Sequence, residues 1–464
     1  MNASRKPAAA VIVGLGATGL SCARYLKAGG WRISVTDTRA EPPGKAALAA
    51  LDPAIVTRFG TLDTALLDDA VCVVASPGVQ LSDPFFEEAR RRGIDVAGDI
   101  ELFARAADAP VAGITGTNGK STVTTLVGRM AAAASLNVRV GGNLGEPALD
   151  LLQAARADAR PTDLYVLELS SYQLEATWSL ALKAAVVLNV TPDHLDRYAG
   201  ITDYAAAKAR IFNRCDTAVV NLDDPLVTAM PRRSAQVLGF SLQPETAADY
   251  VLAERAALGD VSGSGYEDTP GWWLTRLGEP LMPLAAMKLK GLHNAANALA
   301  ALALAEALGL PRAAMLETLE DFEGLPHRSQ WVASIAGVAF IDDSKGTNVG
   351  ATLAAVAGLP GALVLIAGGD GKGQDFAPLA AAFRGKVRHA VLIGRDAGLI
   401  AAALAGVCTI QTCGSMPEAV RAAAGAARPG DTVLLSPACA SLDMFRNYAH
   451  RGQVFAQAVR ELAA

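Results

Sequence analysis

A glycine-rich segment has the residue types needed to hold phosphate groups. It reads Gly113-Ile114-Thr115-Gly116-Thr117-Asn118-Gly119-Lys120-Ser121-Thr122 and lies between an apolar run and a predicted helix. Backbone N–H groups at the start of a helix bind anions, Lys120 would neutralise the β- and γ-phosphates of a nucleotide, and the Ser121 hydroxyl would reach Mg²⁺. The spacing misses the strict phosphate-loop pattern by one residue, because position 114 is isoleucine. The segment predicts a nucleotide site, with a chance match as the alternative.

Three side chains farther along the chain could act on such a phosphate. Glu168 ends an apolar run and offers a hard oxygen ligand for Mg²⁺. His194 lies in a turn after a later run, and Lys208 lies on a predicted helix over residues 203–212. Each also has an ordinary interpretation: a surface glutamate, a structural histidine and a solvated helix lysine. Residue types alone leave both interpretations open.

A second glycine pattern, Gly14-Leu15-Gly16-Ala17-Thr18-Gly19, follows an apolar run near the N-terminus, and Asp37 lies 18 residues beyond Gly19. This spacing is typical of dinucleotide sites, in which the glycines approach a pyrophosphate and the acid binds a ribose. The same geometry holds any pyrophosphate, and the glycines could also serve only for tight packing. The pattern therefore leaves open NAD, another pyrophosphate ligand, or no ligand.

These residues fall on a repeated pattern of short apolar runs followed by alanine-rich segments. Such runs predict buried parallel strands alternating with helices. The clearest runs are residues 11–13, 71–74, 164–167, 185–188, 338–341, 363–366, 391–393 and 433–435. Because ligands in α/β sheets bind beyond the carboxyl ends of the strands, the polar residues that end these runs should line the sites. The pattern predicts an α/β fold.

The length of 464 residues is too great for one core and predicts roughly three domains. We place them at 1–107, 108–325 and 326–464, because breaks in the pattern occur near residues 106–110 and 323–326. Residues 243–284 are rich in turn residues, including Gly263 and Gly265. They predict strands and loops on the middle domain, without a chemistry that we can assign.

Composition excludes several classes of protein. Hydrophobic residues make up 51% of the chain, and its net charge of -5 comes without a long basic run, which argues against nucleic-acid binding. The six cysteines form no CxxC pair and predict reduced thiols in a cytoplasm. We expect no signal peptide, because no apolar segment with a cleavage site follows the N-terminus. The uncharged stretch 397–417 predicts a buried helix and a strand rather than a membrane insertion.

Taken together, the polar segments resemble the Mur ligase family in order and over essentially the whole chain. The loop 115–122 is also similar to that of folylpolyglutamate synthases. The other matching segments are Gly141-Gly142-Asn143-Leu144-Gly145, residues 168–175, 189–198 (with Asp193-His194-Leu195-Asp196-Arg197-Tyr198), 293–297, 325–328, 343–348 and 368–373, and Leu435-Ser436-Pro437-Ala438-Cys439-Ala440-Ser441. Residues 368–373 and 435–441, with Asp37-Thr38-Arg39, most resemble the members that add glutamate.

The resemblance implies a Rossmann-like N-terminal domain that binds UDP, a central P-loop ATPase-like domain with a mostly parallel sheet, and a Rossmann-like C-terminal domain that closes over ATP. It implies an amide ligase that activates UDP-N-acetylmuramoyl-L-alanine as an acyl phosphate with ATP and then joins it to glutamate, in the cytoplasm and as a monomer. Phosphoryl transfer of this kind depends mainly on positioned cations. The sequence does not determine whether the glutamate is the D or the L enantiomer.

The resemblance also assigns roles to individual residues. Catalytic roles fall on Lys120, Asn143, His194, Lys208 and Arg328. The implied ATP-binding residues are Gly116, Thr117, Asn118, Gly119, Lys120, Ser121, Thr122, Asn294, Asn297, Arg328, Asp343 and Lys345. The implied UDP-substrate residues are Leu15, Ala17, Thr18, Asp37, Thr38, Arg39, Gly78 and Asn143. The implied glutamate-binding residues are Thr347, Lys372, Ser436 and Phe445. Two Mg²⁺ ions are implied at Ser121, Glu168, His194 and Lys208, the lysine as a carbamate formed with CO₂.

Other functions compatible with the sequence are another Mur-type or folylpolyglutamate-type amide ligase, an NAD-dependent oxidoreductase built on the first glycine pattern, and a nucleotide sensor without catalysis. Binding of MgATP but not NAD(H) would separate a ligase from an oxidoreductase. For Asn294 and Asn297, capping of a helix is the ordinary alternative to nucleotide binding.

Overall fold

The computed structural model describes residues 7–261, 266–267, 269–289 and 291–462. Within these residues the strands form three sheets, of five, nine and six strands. The first sheet is parallel, in the order β3-β2-β1-β4-β5. Its strands are β1 (Ala9–Val13), β2 (Arg32–Asp37), β3 (Val56–Phe59), β4 (Cys72–Ala75) and β5 (Asp95–Gly98), and its helices are α1 (Ala17–Ala28), α2 (Lys45–Leu51), α3 (Pro84–Arg91) and α4 (Asp99–Ala104).

The middle sheet has the order β14-β13-β12-β11-β10-β9-β6-β8-β7 and is parallel except for its last two strands, β13 and β14. Its strands are β6 (Val111–Thr115), β7 (Val138–Gly142), β8 (Leu164–Glu168), β9 (Leu182–Val187), β10 (Cys215–Asn221), β11 (Gln236–Ser241), β12 (Tyr250–Glu254), β13 (Trp272–Arg276) and β14 (Glu279–Pro283). Its helices are α5 (Lys120–Ala133), α6 (Ala148–Ala157), α7 (Ser171–Glu175), α8 (Ile201–Ala209), α9 (Pro225–Thr228), α10 (Leu292–Ala307) and α11 (Arg312–Asp321).

The third sheet has the order β15-β16-β20-β17-β18-β19, and only its edge strand β15 is antiparallel to its neighbour. Its strands are β15 (Gln330–Ile335), β16 (Val338–Asp342), β17 (Leu363–Gly368), β18 (Val387–Ile393), β19 (Thr409–Thr412) and β20 (Thr432–Leu435). Its helices are α12 (Val349–Gly358), α13 (Ala377–Phe383), α14 (Ala397–Ala403), α15 (Met416–Ala426) and α16 (Tyr448–Leu462).

The apolar runs predicted as strands all overlap observed strands, and the α/β fold class is confirmed. Strands such as β6 and β17 are buried along their whole length, because helices cover both faces of the parallel sheets. Residues 397–417 contain α14 and β19, as predicted. The segment 243–284 contains β12, β13 and β14; Gly263 and Gly265 lie outside the described residues.

The helices and the cysteines bear on two further expectations from the sequence. In the described part of the chain, no helix has both the length and the apolar character that crossing a membrane requires. The six cysteines all lie within the described residues and are free thiols.

The first and middle sheets are joined through α4. The carboxylate of Glu101, which is fully buried, accepts hydrogen bonds from the backbone N–H groups of Trp178 and Ser179, both at 2.9 Å, and from the Ser179 hydroxyl at 2.7 Å. Gln173 donates to Asp99 across the same contact at 2.9 Å. Burial alone would raise the pKa of Glu101, but these donors and Arg105 hold it below its usual value. The carboxylate is therefore a structural acceptor for the turn after α7.

We expect Glu101→Ala to lower the free energy of unfolding by about 3 kcal/mol, because two part-buried backbone N–H groups and the Ser179 hydroxyl lose their acceptor. Urea unfolding followed by circular dichroism would measure the change. The matched control is Glu87→Ala, since Glu87 lies exposed on α3. An effect of Glu101→Ala no larger than that of the control would contradict this role for the carboxylate.

Candidate active site

The polar segments of the middle sheet meet at the carboxyl ends of three neighbouring strands. β6 lies between β9 and β8, so the loop after Thr115 emerges beside Glu168, the last residue of β8. The turn after β9 contacts the same loop, because the Thr117 N–H donates to the Asn189 carbonyl oxygen at 2.9 Å. The sheet order thus brings together residues far apart in sequence.

The loop after β6 wraps around the Lys120 side chain. Lys120 Nζ donates to the carbonyl oxygens of Gly116 and Thr117, both at 2.8 Å. Gly119 has a φ of +84°, and a Cβ there would lie 2.3 Å from Asn297 Oδ1, so only glycine fits between the loop and α10. Burial lowers the pKa of Lys120, and the carboxylates of Glu168 and Asp193 oppose that shift.

Glu168 is the centre of a buried hydrogen-bonded cluster. Its carboxylate accepts from the Ser121 hydroxyl at 2.6 Å and from Asn143 Nδ2 at 2.7 Å. Arg328 Nη2 donates to Ser121 Oγ at 2.8 Å, which brings a residue that lies just before β15 to the phosphate loop. Burial raises the pKa of Glu168, but Lys120, these two donors and Arg328 hold it below its usual value. The carboxylate is therefore ionised at neutral pH.

The donor set fits a magnesium ion that is shared with a phosphate. Glu168 and Ser121 supply hard oxygen atoms side by side, and Mg²⁺ usually takes one or two protein oxygens and completes its shell with water and phosphate oxygens. Among the residues that the structure describes, no group of three or more His, Cys, Asp and Glu side chains could hold a metal by itself. An ion here would depend on the nucleotide for its remaining ligands.

His194 and Lys208 line the same cavity as Glu168 and Lys120. His194 Nδ1 is 2.7 Å from the Tyr172 hydroxyl, and burial lowers the pKa of the imidazole to about 4, so the ring is neutral. Lys208 is fully buried and donates to the Gly116 carbonyl oxygen at 2.8 Å. Burial, and then the charge of Lys120, lower the pKa of Lys208 well below its usual value. In the structure Lys208 Nζ therefore serves as a hydrogen-bond donor to the phosphate loop.

A second cavity adjoins the first on the side of α10. Both are lined by Asn118, Gly119, Arg328 and Lys345, and the second also by Asn294 and Asn297. Helix α10 begins after Gly291 without a side-chain cap, so the capping interpretation of the two asparagines is wrong. They face a cavity next to the phosphate loop, as an adenosine site would require.

Side chains from the third sheet complete the first cavity. Thr347 and Lys372 line it, and Lys372 Nζ forms an ion pair with Asp193. Asn348 Nδ2 donates to Asp193 Oδ2 at 3.2 Å and to Asn118 Oδ1 at 3.1 Å. Loops that follow strands of the third sheet therefore contact loops of the middle sheet at the cavity.

Asp343 and Lys345, in the loop that follows β16, border the cavities. Burial raises the pKa of Asp343 to about 7, and burial lowers the pKa of Lys345 to about 8. Lys345 Nζ lies 4.0 Å from the centre of the Tyr448 ring. The fully buried Arg451 of α16 donates to the Ser344 carbonyl oxygen at 2.7 Å and so fixes the loop that carries both residues.

The structure does not bring two of the predicted glutamate-binding residues to the cavity wall. Ser436 is fully buried, donates to Asp343 Oδ2 at 2.8 Å and lies 3.1 Å from the Thr352 hydroxyl. Phe445 is half-buried, with its ring 5.9 Å from that of His450. A role for either in binding glutamate stays a prediction.

The N-terminal glycine pattern forms a turn closed by Asp37. The Asp37 carboxylate accepts from the Leu15 N–H at 2.7 Å and from the Arg39 backbone and guanidinium. Burial raises the pKa of Asp37, and the bonds from Arg39 and Leu15 hold it below its usual value. A Cβ on Gly19 would lie 2.0 Å from the Gly14 carbonyl oxygen, so this glycine does serve tight packing.

The remaining predicted UDP-binding positions lie at the accessible edge of this turn. Ala17 and Thr18 begin α1, and Thr38, Arg39 and Gly78 are exposed. Leu15 is buried, and its N–H is occupied by Asp37, so it offers little to a ligand.

Sequence reasoning missed several residues that shape the cavity. Tyr172 and Tyr204 pack their rings on His194, at centroid distances of 4.9 and 6.0 Å, and Asn348 and Asp193 join the two sheets. All lie in or near the segments that carry the family resemblance, but no spacing rule distinguishes a tyrosine that supports a histidine from one in an ordinary core.

The chain matches family models along most of its length. Residues 8–98 match the Mur ligase MurD-like N-terminal domain, residues 114–305 the Mur ligase middle domain, and residues 327–439 the Mur ligase glutamate ligase domain. Solved structures of similar fold include UDP-N-acetylmuramate-alanine ligase MurC from Thermotoga maritima (TM-score 0.60, 18% identity, 98% of this chain and 99% of that one). MurF from Acinetobacter baumannii is another (TM-score 0.57, 16% identity, 97% and 90%).

Curated relatives are much more similar in sequence. The chain is 51% identical over 458 residues to the UDP-N-acetylmuramoylalanine--D-glutamate ligase of Nitrosococcus oceani, covering 98% of this chain and 97% of the relative. It is 49% identical over 457 residues to the ligase of the same name from Pseudomonas aeruginosa, covering 98% of each. With these matches across all three sheets, the chain belongs to the Mur ligase family.

Proposed function

We propose that this chain is an ATP-dependent ligase that joins D-glutamate to UDP-N-acetylmuramoyl-L-alanine, with release of ADP and phosphate, in the synthesis of peptidoglycan. The observation that carries the proposal is the cavity in which Lys120 and the Glu168–Ser121 pair face Arg328, which precedes β15, and Lys372, which follows β17. The names of the relatives support the choice of substrates and of the D enantiomer.

The reaction has two steps that this cavity can serve. A carboxylate oxygen of the alanine attacks the γ-phosphorus of ATP, and ADP leaves, which gives an acyl phosphate. The glutamate amine then attacks the acyl carbon, loses a proton, and phosphate leaves as the amide forms. Lys120 and Arg328 stabilise negative charge on the transferred group, and bound Mg²⁺ supplies further charge neutralisation. Closure of the third sheet over the cavity protects the acyl phosphate from water.

Residue roles follow from position in the two cavities. Asn143 and His194 position the acceptor carboxylate, while Asn294, Asn297, Asp343 and Lys345 border the nucleotide. Lys372 and Thr347 are suited to the carboxylates of glutamate, since a cation and a hydroxyl bind carboxylates. Ser436 and Phe445 do not line this cavity, and the Ser436 hydroxyl is bonded to Asp343. Either residue would therefore contribute to glutamate binding only indirectly.

We also propose the cofactor details that the family resemblance implies. Two Mg²⁺ ions would be held through Ser121, Glu168, His194 and a carbamylated Lys208. Burial of the Lys208 amine supports the modification, because it lowers the pKa of the amine and so favours the uncharged form, which is the form that adds to CO₂. The product is an anion, which the neighbouring Lys120 would stabilise.

The domain boundaries, the cellular site and the oligomeric state are further parts of the proposal. Boundaries at 1–107, 108–325 and 326–464 are supported by the sheets, since none of the described strands crosses from one range into another. We propose a cytoplasmic monomer. An NAD-dependent oxidoreductase built on the first glycine pattern is disfavoured, because that activity would not use the cavity around Lys120.

We expect Lys120→Ala to lower the rate of phosphate release by about 10³-fold or more, because it removes a cation from the transferred phosphate. The assay uses UDP-N-acetylmuramoyl-L-alanine, MgATP, and D- or L-glutamate in parallel, and D-glutamate should be the active enantiomer. Lys183→Ala is the matched control, since Lys183 is half-exposed on β9. Near-wild-type turnover in a folded Lys120→Ala protein would contradict the proposal.

A separate prediction concerns Lys208. In isotopically labelled bicarbonate, we expect a carbamate signal in the nuclear magnetic resonance spectrum of the wild-type protein. Lys208→Ala should lack that signal and lose activity, whereas Lys183→Ala should retain both. A spectrum without a carbamate signal in active wild-type protein would contradict the modification.

A further inference from the structure

Arg197 joins the first sheet to the wall of the catalytic cavity. Its side chain belongs to the turn after β9 and is only 9% exposed. Its Nη1 donates to the Pro77 carbonyl oxygen at 3.0 Å, and its Nη2 to the Val79 carbonyl oxygen at 3.3 Å. Both acceptors lie in the turn that follows β4. A planar guanidinium can bind two carbonyl groups and a carboxylate at once, which a lysine ammonium cannot do in the same geometry.

The guanidinium is held in place from the middle sheet. Nη2 also donates to Glu175 Oε2 at 2.6 Å, and Tyr198 donates its hydroxyl to the other oxygen of that carboxylate. The guanidinium lies 4.1 Å from the centre of the Tyr172 ring, and the Tyr172 hydroxyl contacts His194. Arg197 therefore has one fixed position relative to the histidine of the cavity.

The turn that Arg197 holds is part of the N-terminal ligand site. Ser76 Oγ donates to the Gly14 carbonyl oxygen at 2.8 Å, so residues 76–79 and the glycine turn 14–19 are bonded to each other. Val79 N–H donates to the Ser76 carbonyl oxygen at 3.0 Å and closes the turn. Pro77 also lines the cavity that contains His194 and Lys208. A ligand that extends from the glycine turn to the cavity would pass this turn.

We propose that Arg197 is a positioning residue for the acceptor, holding the 76–79 turn against the cavity so that the acceptor carboxylate reaches the transferred phosphate. The inference rests on the proposed function, in that the acceptor is a nucleotide-linked sugar bound at the glycine turn. In this proposal Arg197 does not contact the reacting atoms. Its effect should therefore be on the affinity for the acceptor, and not on that for ATP.

The first test needs no substrate. Hydrogen–deuterium exchange of residues 76–82 should be at least about tenfold faster in Arg197→Met than in wild type, because the turn loses its donors. Arg24→Met is the matched control: Arg24 on α1 forms an ion pair with Asp150 on α6, so it also joins the first and middle sheets but does not contact this turn. Unchanged exchange in Arg197→Met, or equally fast exchange in the control, would overturn the proposal.

The second test measures binding of UDP-N-acetylmuramoyl-L-alanine by calorimetry without ATP or Mg²⁺. We expect a Kd at least about tenfold higher in Arg197→Met, a smaller rise in Arg197→Lys, and no change in Arg24→Met. The Kd of a non-hydrolysable ATP analogue should stay within twofold in all three. An acceptor Kd for Arg197→Met within twofold of wild type would overturn the proposal. Failure of the wild type to bind the acceptor would instead count against the proposed function, and the exchange test would still decide the role of Arg197.

The variant Tyr172→Phe distinguishes an effect that acts through the 76–79 turn from one that acts through His194. The variant keeps the ring beneath Arg197 and removes only the hydroxyl that contacts His194. Its acceptor Kd should stay within twofold of wild type while kcat falls. An acceptor Kd raised as much as in Arg197→Met would overturn the proposal, because it would assign the effect to His194 and not to the turn.

Discussion

The excess of buried positive charge at the catalytic cavity is the constraint on which the site depends. Its opposing carboxylates are few, and two of them, Glu168 and Asp193, are already engaged by protein donors. Like charges repel strongly where water is excluded, and burial lowers the pKa of several of these cations. The basic side chains concerned are Lys120, Lys208, Arg328, Lys345 and Lys372. A polyphosphate would balance this positive charge, so the arrangement is complementary to an anionic ligand.

The fold meets this constraint by placing the cations on separate rigid supports. Lys120 begins α5, Lys208 lies on α8, and Lys345 follows β16, so each is fixed by a different element. The buried Arg451 holds the Ser344 loop, and Gly119 allows the phosphate loop to contact α10. On a flexible segment these side chains would move apart because their charges repel. The rigid elements keep them close enough to bind one ligand.

The sequence predicts the fold class and the phosphate loop well, because buried strands and glycine turns leave strong local patterns. The Lys120–Ser121 loop and Glu168 meet as expected, since adjacent parallel strands end at one edge. Ser436 shows the limit: its type suits a carboxylate, yet the core of the third sheet buries it against Asp343. Arg197 carries no signal in its spacing, because its partners are backbone carbonyl groups of a distant turn. Partners of that kind depend on how two sheets pack, which local patterns do not encode.

The ion pair between Lys372 and Asp193 has a consequence for how the amino acid enters. If a carboxylate of glutamate takes Lys372 as its partner, it displaces a carboxylate that the protein already provides. Such an exchange replaces one attraction with another and yields little net free energy, so weak, rapidly reversible capture of glutamate is the expected outcome. The released Asp193 would keep its hydrogen bond from Asn348 and would leave its other oxygen available to a positively charged group of the ligand.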